Sequence, residues 1–145
     1  MFERLLSLFE RHPTYETPLP QADAGHAFGA LLVRIAKADS AYLFEELESI
    51  DHILAERFGL NPVAAAKYRA ECEKLEDALP DTAALSNILV EELNVETRAG
   101  MVAQMWEVLL ADGFRHRKEE EVVAEVAAVF GLTADQVKDL RPAGA

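Results

Sequence analysis

The sequence predicts an all-α protein of seven to eight helices, arranged as duplicated three-helix units packed as a single bundle. Three observations lead there. Apolar residues recur at spacings of three and four along most of the chain, and nothing alternates with period two over a useful length. Capping residues, prolines and glycines separate these stripes. The chain also matches itself: a shift of 73 residues sets Ala38-Asp39 on Ala111-Asp112, Glu46 on Glu119, Ile50 on Val123 and Ile53 on Val126. Units too small to bury a face alone are expected to pack on one another.

Met1 to Arg11 carries Phe2, Leu5, Leu6 and Phe9 at helical spacing, which predicts a short amphipathic helix. It packs on the bundle or, alternatively, serves a partner groove or a membrane surface, although Glu3 and Glu10 suit anionic lipid poorly. Pro13, Pro18 and Pro20 then mark an arm, so residues 1–22 are set apart from a helical domain at 23–141, with repeats near 25–79 and 95–140.

From about Asp23 to Lys37, Phe28, Leu31, Leu32 and Ile35 form one stripe, with Arg34 and Lys37 opposite. After a loop at Asp39, a second helix presents Leu43, Leu47, Ile50, Leu54 and Phe58 inward, and Gly59 stops it. Asn61 as N-cap and Pro62 at the first helical position open the next, which buries Tyr68, Cys72, Leu75 and Leu79. A helix beginning at Pro80-Asp81 turns Leu85, Ile88, Leu89 and Leu93 inward and joins the two units.

Asn94 caps a helix to Leu110 with the stripe Met101, Val102, Met105, Trp106 and Leu109. Beyond Asp112-Gly113 and the basic run Arg115 to Lys118 comes a helix with Val122, Val123, Val126 and Phe130, capped by Gly131. Thr133 with Gln136 is a capping box opening a last short helix, Ala134 to about Leu140.

The net charge of -12 repels nucleic acid and anionic lipid and favours cations or basic partner surfaces. The single cysteine, Cys72, lies on an apolar stripe and reads as an inert core thiol. No apolar run approaches the roughly 18 to 20 residues of a membrane span, and MFERLLSLF does not read as a signal peptide, so a cytoplasmic protein is expected. Catalysis finds no motif: there is no glycine-rich phosphate loop, no Gly-x-Ser-x-Gly and no activated cysteine. The expectation is a non-enzymatic binding or adaptor module.

The chemistry-bearing residues are Asp39, Glu46, Asp112 and Glu119. In each unit an aspartate ends one helix and a glutamate seven residues later sits in the first turns of the next, so the two carboxylates can converge on a divalent cation (Ca²⁺, Mg²⁺, Mn²⁺ or Zn²⁺). Two carboxylates per loop are too few for such an ion, whereas all four would make a shared site if the units brought their loops together. Capping and helix-dipole roles explain the same four residues without a metal. The basic run opposes an ion at the second loop, where Glu119 can pair with Arg115 or Arg117 instead. Glu119-Glu120-Glu121 reads as a solvated helix face. His116, four residues after Asp112 and three before Glu119, has a spacing usable by a transition metal on a helix, and otherwise reads as an exposed loop histidine.

These residues resemble the TerB-like domains named for bacterial tellurite-resistance proteins. Such domains carry, twice, an Ala-Asp-Gly, a Glu seven residues after the Asp, and an amphipathic helix ending near Phe/Leu-Gly-Leu. The second unit matches with Ala111-Asp112-Gly113, Glu119 and Phe130-Gly131-Leu132; the first has Phe58-Gly59-Leu60 but departs with Ser40 for glycine and an apolar Ala41-Tyr42-Leu43-Phe44. The resemblance covers roughly residues 25 to 140. It implies an all-helical two-repeat fold, acidic sites proposed to bind divalent metal, a protein partner, and a stress-response setting near the membrane. The family's domain also accompanies J-domains, but here His12-Pro13 is followed by Thr14, so the His-Pro-Asp of a J-domain is absent. The alternative is a metal-free protein-interaction domain tethered, through its N-terminal helix, to a larger and peripherally membrane-associated assembly.

Overall fold

A computed structural model describes residues 17–142. The expected N-terminal helix, Met1 to Arg11, lies outside the described residues. Seven helices are present among the described residues, and no strand. In chain order they are α1 (Ala24–Lys37), α2 (Phe44–Phe58), α3 (Pro62–Ala78), α4 (Thr82–Glu92), α5 (Val95–Leu109), α6 (Arg117–Val129) and α7 (Ala134–Leu140).

Local chemistry sets these boundaries. Asn61, Asp81 and Asn94 each accept a hydrogen bond from a backbone N–H in the first turn of α3, α4 and α5. Thr133 and Gln136 form the reciprocal capping box at α7. Gly59 and Gly131 follow α2 and α6 with φ of 64° and 76°, the left-handed conformation that lets the chain turn away from a helix end.

The bundle is built around α1, which packs against α2, α3, α4, α5 and α6. Every residue from Ala27 to Ala36 is buried. A helix enclosed on all sides leaves no outer face for a charge, and Arg34 departs from its sequence expectation accordingly. Its guanidinium lies inside the bundle and donates to the Glu76 carboxylate (3.2 Å), the Glu76 carbonyl (2.8 Å), the Leu79 carbonyl and the Thr82 hydroxyl (3.3 Å). It thereby satisfies carbonyls left open where α3 ends, a role a long planar donor fork suits. Close approach of α1 to α3 depends on Gly29, where an added Cβ would collide with the Cys72 sulfur.

The inner face of α2 also departs from expectation. It consists of Glu46, Ile50, Ile53 and Leu54, while Leu43 is the N-cap, Leu47 is half-buried and Phe58 is exposed. Tyr68 and Leu79 are half-buried at the edge of the core, whereas Cys72 and Leu75 are inside. α5 contributes Met101, Val102, Met105, Trp106, Val108 and Leu109, and α6 contributes Val123, Val126 and Ala127. The α1–α2 and α5–α6 loops meet at one end of the core, where Asp39 of the first lies 3.2 Å from His116 at the end of the second.

Candidate metal centre

The two loops are built alike, atom for atom, at the 73-residue shift. In the first, the Ala38 N–H donates to the Ile35 carbonyl (3.2 Å) and the Ser40 N–H to the Lys37 carbonyl (3.0 Å). In the second, the Ala111 N–H donates to Val108 (3.2 Å) and the Gly113 N–H to Leu110 (2.9 Å). One oxygen of each aspartate closes a turn onto its own backbone: Asp39 Oδ1 accepts from the Ala41 N–H (3.1 Å) and Asp112 Oδ1 from the Phe114 N–H (3.0 Å). The residue after each aspartate is left-handed, Ser40 at φ 69° and Gly113 at φ 84°. Glycine takes that conformation freely and serine does not.

With Oδ1 fixed in the turn, Oδ2 of each aspartate is directed at the same imidazole. Asp39 Oδ2 lies 3.2 Å from His116 Nδ1, and Asp112 Oδ2 lies 2.7 Å from His116 Nε2. The histidine is the N-cap residue of α6 and is half-buried between the loops, which corrects its reading as an exposed loop side chain.

Behind it stand the two glutamates, each at the third position of its helix. Glu46 uses Oε1 to accept from the Leu43 N–H (3.1 Å), while its Oε2 is buried with no hydrogen-bond partner. Glu119 is fully buried and neither oxygen has a partner; its nearest cationic group is His116 Nε2, 3.8 Å away. Two sequence readings of Glu119 are corrected here. It does not belong to a solvated face, and it does not pair with Arg115 or Arg117: Arg115 pairs with Glu120, and Arg117 lies 3.5 Å from Glu121.

The electrostatics follow from this geometry. Burial pushes the Glu119 carboxyl up, and the adjacent Glu46 with the charges of Asp39 and Asp112 pushes it further. Burial also raises Glu46, as do Asp39 and Asp112, against the opposing side-chain bond shared with Glu119, in which a protonated Glu119 donates to the Glu46 carboxylate, and the bond from the Leu43 N–H. The hydrogen bond to Asp112 raises His116, helped by the charges of Asp112, Asp39 and Glu46. For Asp112, burial acts upward, but the bonds from His116 and the Phe114 N–H outweigh it and hold the carboxyl low.

The structure therefore brings Asp39, Asp112 and Glu119 to one imidazole, with Glu46 against Glu119. Asp39, His116 and Glu119 offer one ligand atom each, all within 4.8 Å of one another. The donor set fits a divalent cation: it contains buried carboxyl oxygens that no N–H or hydroxyl donor reaches, and acids from both loops. His116 stands outside the four acids that the repeat predicts, although its spacing suits a transition-metal ligand. Its signal was the Asp112/His116/Glu119 interval, and at the repeat shift it stands where the first unit has Leu43.

The profile of one family, described as Tellurite resistance protein TerB, matches residues 26–142. This chain belongs to the TerB family. The matched stretch takes in all seven helices from within α1 onward and all five residues of the acidic cluster. No curated protein and no solved structure matches the TerB chain. None of its helices among the described residues is long and apolar enough to cross a membrane.

Proposed function

We propose that this TerB domain is a non-enzymatic binding module whose interhelical loops take up a divalent cation, with Asp39, Glu46, Asp112 and Glu119 as its acidic wall. The ion steadies the end of the bundle where the loops meet, and that end serves as the face offered to a protein partner in a stress-response setting. The observation that supports this reading is Glu119, buried with both carboxylate oxygens unpartnered beside a second buried glutamate. A helix cap does not explain it, because a cap would engage the backbone as Glu46 does. Unsatisfied buried carboxyl oxygens are destabilising unless a cation or proton compensates them. Arg115 and Arg117 are engaged with Glu120 and Glu121, so their charges are partly neutralised at the loop.

The test is a thermal melt of chelator-treated protein with and without millimolar Ca²⁺, Mg²⁺, Mn²⁺ or Zn²⁺. At least one ion is expected to raise Tm, and Glu119→Gln and Asp112→Ala are each expected to abolish the rise. A melt unchanged by all four ions would overturn the reading and leave a metal-free interaction domain.

A further inference from the structure

The acidic wall alone describes a hard-cation site, the kind that carboxylates build for Ca²⁺ or Mg²⁺. His116 is the exception within it. The imidazole enters from the N-cap position of α6, half-buried, with a carboxylate at each ring nitrogen. Resting on the reading just given, we propose that His116 is a metal ligand and that Asp39, His116 and Glu119 make the site select a borderline transition ion, Zn²⁺ or its like, over Ca²⁺ and Mg²⁺.

The atoms divide the work in a definite way. Asp112 holds Nε2 at 2.7 Å, the shorter of the two aspartate contacts, and leaves Nδ1, turned to Asp39, as the nitrogen offered, while Glu119 approaches the ring from the Nε2 side at 3.8 Å. A ligating histidine ordinarily donates its other N–H to a carboxylate, which fixes the ring and its tautomer. Asp112 occupies that place, so it is a positioning residue. Asp39 Oδ2 and the unpartnered Glu119 oxygens supply the anionic ligands. One nitrogen and two carboxylates is a donor set that imidazole-accepting ions favour and that Ca²⁺, with its six to eight oxygens, does not. The first unit lacks such a group, having Leu43 at the equivalent position, so the cluster has one nitrogen donor and a single ion to seat.

The competing explanation is that His116 is only a cationic bridge between Asp39 and Asp112. Titration of the chelator-treated full chain with Co²⁺, Zn²⁺, Ca²⁺ and Mg²⁺, followed by calorimetry and by the visible absorption of Co²⁺, separates the two. As a ligand, His116 gives a Co²⁺ spectrum that changes in His116→Gln. Zn²⁺ and Co²⁺ affinity should then fall at least as far as the roughly 10- to 100-fold that loss of an outer-shell partner causes. Ca²⁺ and Mg²⁺ binding should change little or strengthen, because a positive group has been removed. Asp112→Asn should weaken Zn²⁺ binding while keeping the histidine-dependent spectrum. Far-UV circular dichroism checks that each variant is folded. If Co²⁺ binds His116→Gln with unchanged affinity and spectrum, the ligand role is overturned while the cation site stands. If no ion binds the parent protein, both readings fall together.

Discussion

Burial among other acids favours the neutral form of a carboxyl, and Glu119, enclosed beside Glu46 with no donor in hydrogen-bond reach of either oxygen, is such a group. Its pKa in the folded state lies above the unfolded value, so the native state binds the extra proton. Stability is then fullest below the unfolded carboxylate range, near pH 4.3, and falls as pH rises above it. Glu46 acts in the same sense. His116 adds to it, since a raised imidazole contributes stability below about pH 6.5 that is lost as pH passes its folded value. Urea unfolding of chelated protein should therefore show stability dropping between pH 5 and pH 8. Glu119→Gln should flatten the slope and add on the order of 1 kcal/mol at pH 8. A slope unchanged by the substitution would contradict this. Ser40 gives a second prediction at the same scale. It sits at φ 69°, where its repeat counterpart is glycine, so Ser40→Gly should stabilise the fold by about 0.5–1 kcal/mol in a denaturant melt.

Among the helices, the termini were the most legible in the sequence. Asn61, Asn94 and the Thr133/Gln136 pair act locally, through bonds spanning three residues, and local chemistry survives translation into three dimensions. The faces were less legible. α1 reads as a one-sided stripe, yet it is enclosed by five other helices, and nothing within its own sequence announces how many neighbours it will have. The same gap hid Arg34 and buried Glu46 and Glu119. A charge at helical spacing looks solvated until another unit covers it. The acids of the candidate site are thus legible in the repeat and His116 in its spacing, while their burial and the place of the imidazole between both loops depend on the packing of one unit on the other. Arg34 carries the prediction proper to this scale. Arg34→Met removes the donors for the Glu76 and Leu79 carbonyls and the buried partner of the Glu76 carboxylate, and should lower stability by about 3 kcal/mol. A loss below about 1 kcal/mol would mean that Lys37, 2.7 Å from Glu76, suffices alone.

At the scale of the whole molecule, Cys72 offers a probe of the bundle's integrity. It is fully buried against Gly29, and burial pushes its thiol far above the ordinary range. A thiol reagent should leave it untouched in native protein and modify it only through opening of the bundle. A cation that binds the folded state should slow that labelling in step with the rise in Tm, since binding lowers the open population. Labelling that stays fast in the native protein would place Cys72 in a locally mobile seam instead. The His116 contacts have a further consequence in polymer terms. Asp39 and Glu119 stand about 80 positions apart along the chain, so any bond made through both closes a loop over more than half of it. A covalent tie across that length would withhold roughly 4.5 kcal/mol of conformational entropy from the unfolded chain. An ion held between the loops would act as a reversible cross-link of the same span, present or absent with the supply of metal.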